Sequence, residues 1–275
     1  METEGACVVV TGGTRGIGKA MAAAFAAHGS RVVIAARSKD EIEACIAELG
    51  QDDGRLLGVP TDVTDPEQVK HMATLAQRQF GPVSVLVNNA GSLTAVGPTW
   101  EVDKDQWSND VRTNLWGAFL CCRTVMPEMV ARGRGYVINL VGGGATSPHV
   151  YGSAYGCSKA GVLAFSETLA LEAADTGVKV FALSPGLVKT RMTIALAEKP
   201  EGKRWRPFIG QMLKDGQDVP PERAAELALK LVSGRADRLS GCLFSVHDDF
   251  DAIVQAADAV LKSDGLRLRL RPWSV

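Results

Sequence analysis

At 275 residues with a net charge of −1, the chain suits one large α/β domain or two small ones and lacks the basic excess of a broad nucleic-acid surface. Hydrophobic residues make up 46% of it, enough to fill a sizeable core, yet no run reaches the ~18 uninterrupted apolar residues of a membrane-spanning helix. The opening METEGACVVVTGG has no basic stretch and only a short apolar run, unlike a secretion signal, and Cys7, Cys45, Cys121, Cys122, Cys157 and Cys242 lie in apolar segments without metal-like CxxC spacing, so the expectation is a soluble cytoplasmic protein with reduced core thiols.

In chain order, the β-branched run Ala6–Val10 breaks into TGGTRGIG, Thr11–Gly18, and the small residues Lys19–Ala27 predict a helix. Strand, glycine loop and helix form the setting in which such glycines cradle a pyrophosphate: Gly12, Gly16 and Gly18 permit the tight turn, the close backbone approach and the close helix packing. Thr14 and Ile17 belong to the same loop. A tight structural turn is the plainer alternative. The helix start adds free N–H groups and a positive dipole end. The second strand, Arg31–Ala35, is followed by Ala36 and Arg37, where an NAD site usually has an acid for the ribose 2′-hydroxyl. With Arg15 and Arg37 nearby and no carboxylate, the reading favours the extra phosphate of NADP(H). A surface Arg37 with no ligand is the other possibility.

A helix over Glu41–Leu49, a third strand over Leu56–Val59 leading to Thr61, Asp62 and Val63, a helix over Pro66–Phe80 and a fourth strand, Val83–Val87, follow. That strand stops at Asn88-Asn89-Ala90-Gly91. Strands alternating with helices predict a doubly wound sheet with ligands outside the carboxyl ends of its strands. Gln106–Ala131 reads as one long helix carrying Asn114, with Pro127 kinking or ending it. Gly135–Val141 is a fifth strand before Gly142, Gly143 and Gly144. Lys179–Leu183 is a sixth, leading to Pro185, Gly186, Val188 and Thr190. Between them SAYGCSKA, Ser153–Ala160, sets Tyr155 and Lys159 four apart on one helix face. An ammonium beside a phenol favours phenolate, which predicts a tyrosine pKa below about 10. Taken alone, a packed tyrosine and a solvated lysine fit as well.

TGGTRGIG, NNAG, Asn114, Tyr155-xxx-Lys159 and Pro185-Gly186-xxx-Thr190, in this order and spacing, resemble the short-chain dehydrogenase/reductase family over about residues 5–246. The resemblance implies a seven-stranded parallel Rossmann sheet with helices on both faces, and a homodimer or homotetramer joined through the Asn114 and Tyr155 helices. It implies that Tyr155 moves a proton, that Lys159 holds the nicotinamide ribose and lowers the tyrosine pKa, and that Asn114 supports a water-linked proton path. Asp62 and Val63 would border the adenine, Asn89, Ala90 and Gly91 would line the cofactor, and Val188 and Thr190 would meet the carboxamide. Arg15 and Arg37 match positions that select NADP(H). The family usually has a serine thirteen residues before the tyrosine to hold the substrate carbonyl; here residue 142 is glycine. Three readings stay open. Thr146, Ser147 or Ser153 replaces the serine, the substrate or a water supplies the polarisation, or turnover is lost and nucleotide binding kept. The glycines also make room for a bulky substrate.

The family resemblance makes Arg191–Gln217 a mobile lid, where Met192, Trp205, Phe208, Ile209 and Met212 suit an apolar or aromatic substrate. His149 and Tyr151, with Gly142 and Gly143, are candidate substrate contacts, His149 being equally an ordinary loop residue. Pro220 starts a helix, and Leu239–Val246 reads as a seventh strand. His247-Asp248-Asp249 reads as loop or helix start rather than metal ligands, so no metal is expected. Residues 1–249 form the catalytic domain. Residues 250–275 form an extension, with a helix over Asp251–Lys262 and a Leu/Arg alternation over Leu266–Arg271 that fits an edge strand or an arm on a neighbouring subunit. The expected function is NADP(H)-dependent carbonyl reduction or alcohol oxidation on an apolar or aromatic small molecule. The alternative is an impaired NADP(H)-binding sensor or scaffold.

Overall fold

Val8–Val10, Val32–Ile34, Val85–Val87 and Val180–Leu183 are wholly buried. Strands sealed on both faces need helices above and below, which is what such runs predict. The computed structural model describes residues 3–50 and 54–269. It joins β1 (Cys7–Thr11), β2 (Arg31–Ala36), β3 (Leu56–Pro60), β4 (Val83–Asn88), β5 (Gly135–Leu140), β6 (Val178–Ser184) and β7 (Leu243–Ser245) in one parallel sheet of order β3-β2-β1-β4-β5-β6-β7. The expected seven-stranded doubly wound α/β fold is therefore present. Its order reverses between β1 and β4, leaving a crevice at their carboxyl ends.

One face of the sheet packs on α1 (Gly16–Ala27) through Met21 and Phe25, and on a later helix, Pro221–Val232, through Leu227 and Leu231. The other packs on α3 (Pro66–Phe80) through Val69 and Met72, and on Gly117–Ala131 through Leu120, Val125 and Met129. Between β2 and β3 lies α2 (Lys39–Leu49), whose Ser38 cap accepts the Glu41 N–H at 3.2 Å.

Several expectations are corrected. The long helix begins at Lys104 and is divided into α4 (Lys104–Val111), a π turn (Arg112–Trp116) and α5 (Gly117–Ala131), with Pro127 inside α5. The π turn is what carries Asn114, and such wide turns recur at functional sites. After β5 comes α6 (Ser153–Glu172), and the segment after β6 expected to be a lid is three short helices, α7 (Arg191–Glu198), α8 (Pro200–Trp205) and α9 (Pro207–Lys214), before α10 (Pro221–Val232). The proposed strand Leu239–Val246 shrinks to Leu243–Ser245, because Gly241 takes a left-handed turn, φ +91°, before the chain pairs with β6. In the extension, α11 (Phe250–Gln255) and α12 (Ala257–Lys262) replace one helix, and Phe250 and Ala257 join the main core.

The arm lies on its own chain. The Leu243 N–H donates to the Leu266 carbonyl at 2.8 Å, and Arg267 and Arg269 turn to Asp264 and to Glu167 of α6. Leu270 and Arg271 lie outside the described residues. Cys157 is exposed on α6, against the expectation of six core thiols, while the other five are buried and all are free. No helix among the described residues is long and apolar enough to cross a membrane. Asp248 accepts the Ser245 N–H at 2.7 Å and Asp249 caps α11, so both belong to a helix start.

Candidate active site

A cleft of about 490 Å³ opens at the carboxyl ends of the strands. The predicted residues Gly12, Thr14, Arg15, Gly16, Ile17, Arg37, Asp62, Val63, Asn89, Ala90, Gly91, Tyr155, Lys159, Pro185, Thr190 and Met192 all line it. Gly18, Asn114, Gly142, Gly143, His149, Tyr151, Gly186 and Val188 do not line it. The loop fits a dinucleotide on two counts. Arg15 occupies the cap position of α1 in extended backbone with no side-chain cap, leaving the first-turn N–H groups for an anion. A Cβ at Gly18 would come within 2.2 Å of the Gly12 carbonyl and 2.4 Å of Asn89 Nδ2, so only glycine allows helix, loop and β4 to close up. Asn89 fastens that closure by donating from Nδ2 to the Thr11 carbonyl at 2.8 Å, while Thr11 Oγ1 accepts the Asn89 and Ala90 N–H groups.

At the far end of the cleft the expectation of arginines without a carboxylate is corrected. Glu41, on the first turn of α2, accepts from Arg15 Nη1 at 2.8 and 3.0 Å, from Arg191 Nη1 at 3.0 Å and from Thr14 Oγ1 at 3.4 Å. These donors hold its carboxyl below the usual carboxylate range, Arg15 foremost, against the opposing effect of burial. Arg37 is exposed and faces the same space. The Ser38-x-x-Glu41 spacing is legible as a helix start, but nothing local tells that Glu41 meets Arg191, 150 residues away. Asp62 holds the next wall, accepting both the N–H and the hydroxyl of Thr64 at 2.8 Å.

At the near end, α6 brings Tyr155 and Lys159 to one face. Asn114 is 2% exposed and fully engaged: Nδ2 donates to the Ser92 carbonyl and to Ser158 Oγ, both at 2.9 Å, and Oδ1 accepts the Ser92 N–H at 2.7 Å. Ser158 Oγ continues to the Tyr155 carbonyl at 2.8 Å. Asp110, which the sequence reading missed, lies four residues before Asn114 and is wholly buried. It accepts the Thr94 and Ala95 N–H groups at 2.7 and 2.9 Å, anchoring the loop beyond Gly91.

The predicted lowering of the tyrosine pKa by Lys159 is not seen. Burial pushes the Tyr155 phenol up to about 12, and the charge that opposes this is Arg206. Lys159 Nζ donates to the Leu140 carbonyl at 2.7 Å and lies 5.7 Å from the Tyr155 ring centre. Burial lowers its own pKa to about 8, so the ammonium still prevails at pH 7.

A Cβ at Gly142 would stand 2.5 Å from the Tyr155 hydroxyl, so the phenol occupies the room a side chain there would need. Thr146 and Ser147 are exposed, and Ser153 Oγ accepts from the Trp107 indole at 3.0 Å; none of the three lines the cleft. The loop closes instead around His149. Side chains at Gly144, Gly152 or Gly156 would collide with its Cβ or ring, and the imidazole lies 5.2 Å from the Tyr155 ring. Tyr151, at φ +61°, leaves this group and stacks on Trp205 of the lid at 4.8 Å. Met192 lines the cleft, Ile209 is buried and Phe208 is half exposed. Thr190 caps α7 and sets its methyl against Gly16, joining lid and glycine loop, while Val188 is buried and accepts from Thr193. Gly186, at φ +72°, turns the chain beside His247.

Known proteins are similar to this chain in sequence and fold. The chain is 35% identical over 250 residues to galactitol 2-dehydrogenase (L-tagatose-forming) of Cereibacter sphaeroides, covering 90% of this chain and 95% of that one. It is 32% identical over 238 residues to D-threitol dehydrogenase of Mycolicibacterium smegmatis, covering 86% and 90%. The crystal structure of a phenylalanine-to-tryptophan variant of actinorhodin polyketide ketoreductase with NADPH superposes with a TM-score of 0.80 at 29% identity, over 90% of this chain and 97% of that one. The short chain dehydrogenase profile matches residues 6–201, and with the parallel sheet, the glycine loop and the Tyr155–Lys159 face in place, the chain belongs to the short chain dehydrogenase family of alcohol and ketone oxidoreductases.

Proposed function

We propose that the chain is an NADP(H)-dependent oxidoreductase moving hydride between the nicotinamide ring and a carbonyl or secondary alcohol carbon of an apolar or aromatic small molecule. The observation that carries this reading is the Tyr155 phenol and Lys159 ammonium lining the same cleft as the uncapped start of α1. Bound nicotinamide supplies hydride in reduction and accepts it in oxidation. Tyr155 gives its hydroxyl proton to the oxygen that becomes an alcohol and takes it back in the reverse direction. Lys159, which lines the cleft, would hold the ribose hydroxyls. Asn114 fixes Ser92 and Ser158, and through Ser158 the first turn of α6.

The extra phosphate of NADP(H) is assigned to Arg15, Arg37 and Arg191. Support comes from the three arginines sharing one end of the cleft, where, among the described residues, Glu41 alone offsets them. Leu93, Val141, Met192 and Ala195 give the near end an apolar lining, which favours an apolar or aromatic substrate. A homodimer or homotetramer is supported by an aromatic strip running from the π turn over α5 to α6, the ring centres of Trp116 and Phe119 lying 5.2 Å apart and those of Phe119 and Phe165 6.3 Å apart. Cytoplasmic residence fits the free thiols.

A second reading, an NADP(H)-binding sensor or scaffold, is favoured by Gly142 in the place of the usual serine. A panel of ketones, quinones and alcohols with NADPH and NADP⁺, read at the cofactor absorbance, separates the two. Tyr155→Phe is expected to lower turnover about a thousandfold with cofactor affinity nearly unchanged; unaltered turnover overturns the assignment.

A further inference from the structure

Arg206 sits between α8 and α9 and is only 5% exposed. Its Nη1 donates to the Val150 carbonyl at 2.8 Å, its guanidinium lies 5.0 Å from the Phe208 ring centre, and its Nε has no partner. Taking a cation out of water without an anion is costly, and buried arginines ordinarily meet a carboxylate. Here none does so among the described residues; His149 stands beside Arg206 across Gly152, and the Tyr155 ring lies against that imidazole. A Cβ at Gly152 would lie 3.2 Å from His149 Nε2 and 3.3 Å from Arg206 Nη1, so imidazole and guanidinium flank one glycine. His149 Nε2 is buried and unpartnered, and its ring leans on Tyr155.

We propose that Arg206 is a positioning residue that carries, on the lid, the positive charge serving the Tyr155 phenolate. The anion missing beside Arg206 is then the one Tyr155 forms when it gives up its proton. This rests on the reading of Tyr155 as the proton donor. The titratable groups around the phenol are Lys159 on its own helix, His149 on the preceding loop and, behind that imidazole, Arg206 on the segment after β6. Lys159 is turned to the Leu140 carbonyl, and burial holds His149 neutral at pH 7, its pKa near 4. Arg206 is left as the lid's contribution to the acidity of Tyr155, so lid position and proton transfer are coupled.

The test is the ionisation of Tyr155 itself, followed by NMR of ring-Cζ ¹³C-tyrosine in the full chain with NADP⁺ present. There are three tyrosines, and Tyr155→Phe assigns the signal. Arg206→Met is expected to raise the Tyr155 midpoint by about one pH unit and to slow alcohol oxidation at neutral pH about tenfold. Its thermal midpoint should not fall, because a buried unpaired charge has been replaced by hydrocarbon. Arg206→Lys should stay near the parent midpoint. Arg206→Gln, which keeps a donor for Val150 without the charge, serves where the Met variant does not fold and must raise the midpoint likewise. An unmoved midpoint in the neutral variants, or an equal rise in Arg206→Lys, overturns the proposal. Full turnover in Tyr155→Phe beside a shifted midpoint in Arg206→Met would remove the catalytic role of Tyr155 and leave the electrostatic pairing standing.

Discussion

At one end of the cleft the Glu41 carboxylate collects hydrogen bonds from Thr14, Arg15 and Arg191; at the other, Arg206 and His149 each keep a buried nitrogen without a partner. The first end sets one carboxylate against two guanidiniums, so its charges are paired but not cancelled. The second holds a cation with no fixed counter-charge beside an imidazole that leans on a phenol. A surface-facing cluster can rearrange around an arriving phosphate at small cost, since exposed ion pairs are weak. A buried cation cannot be re-solvated, so its field stays in place for the moment when negative charge forms beside it. On the proposed roles of the two ends, binding and chemistry use opposite electrostatic strategies a short way apart.

The comparison breaks most visibly where backbone meets backbone. Gly18→Ala drives a methyl into the Gly12 carbonyl, so cofactor affinity should fall about a hundredfold and stability by about 2 kcal/mol; calorimetric binding and thermal unfolding check both. Next comes Gly142→Ser. The new Cβ meets the Tyr155 hydroxyl, and turnover is expected to drop by about ten- to a hundredfold as the phenol is displaced. A rise in turnover would show that the phenol yields easily and that the loop lacks only its hydroxyl.

A smaller effect is expected at the Glu41 end. Glu41→Gln removes the carboxylate that holds Arg15 and Arg191, and NADPH affinity should rise about threefold with NADH affinity little changed. The smallest concerns pH. Burial, with Arg206 adding to it, lowers the His149 pKa to about 4 from an ordinary 6.5. Between these values the unfolded chain takes up a proton that the folded chain refuses, so stability is full above about pH 6.5 and declines as pH falls through 4. His149→Asn should flatten that acid limb, and thermal midpoints at pH 7 and pH 5 measure it, with a difference of a few degrees.

Much of the cofactor end was legible before any coordinates, because its geometry is local. TGGTRGIG follows a strand and opens a helix, and each glycine acts on neighbours within a few residues or on the next strand's end. Glu41 was hidden there, since its partner Arg191 is far along the chain. At the near end Tyr155 and Lys159 share a helix face by spacing alone, but the sign of the tyrosine shift is not legible there. Burial of the phenol raises its pKa, and the charge opposing this is Arg206 rather than Lys159. The long helix was read through Asn114 without its π turn, which side-chain periodicity does not reveal.

The amino-acid order by itself settled the alternation of strands and helices, the phosphate-cradling loop and the Tyr155–Lys159 face, since each follows from backbone periodicity and from residues a few positions apart. Tertiary structure alone decided that Glu41 reaches across to Arg191, that the Tyr155 hydroxyl fills the space at Gly142, and that Arg206 is buried without a carboxylate beside His149. Those outcomes depend on desolvation and on contacts between segments distant in the chain, and neither quantity exists until the chain has folded.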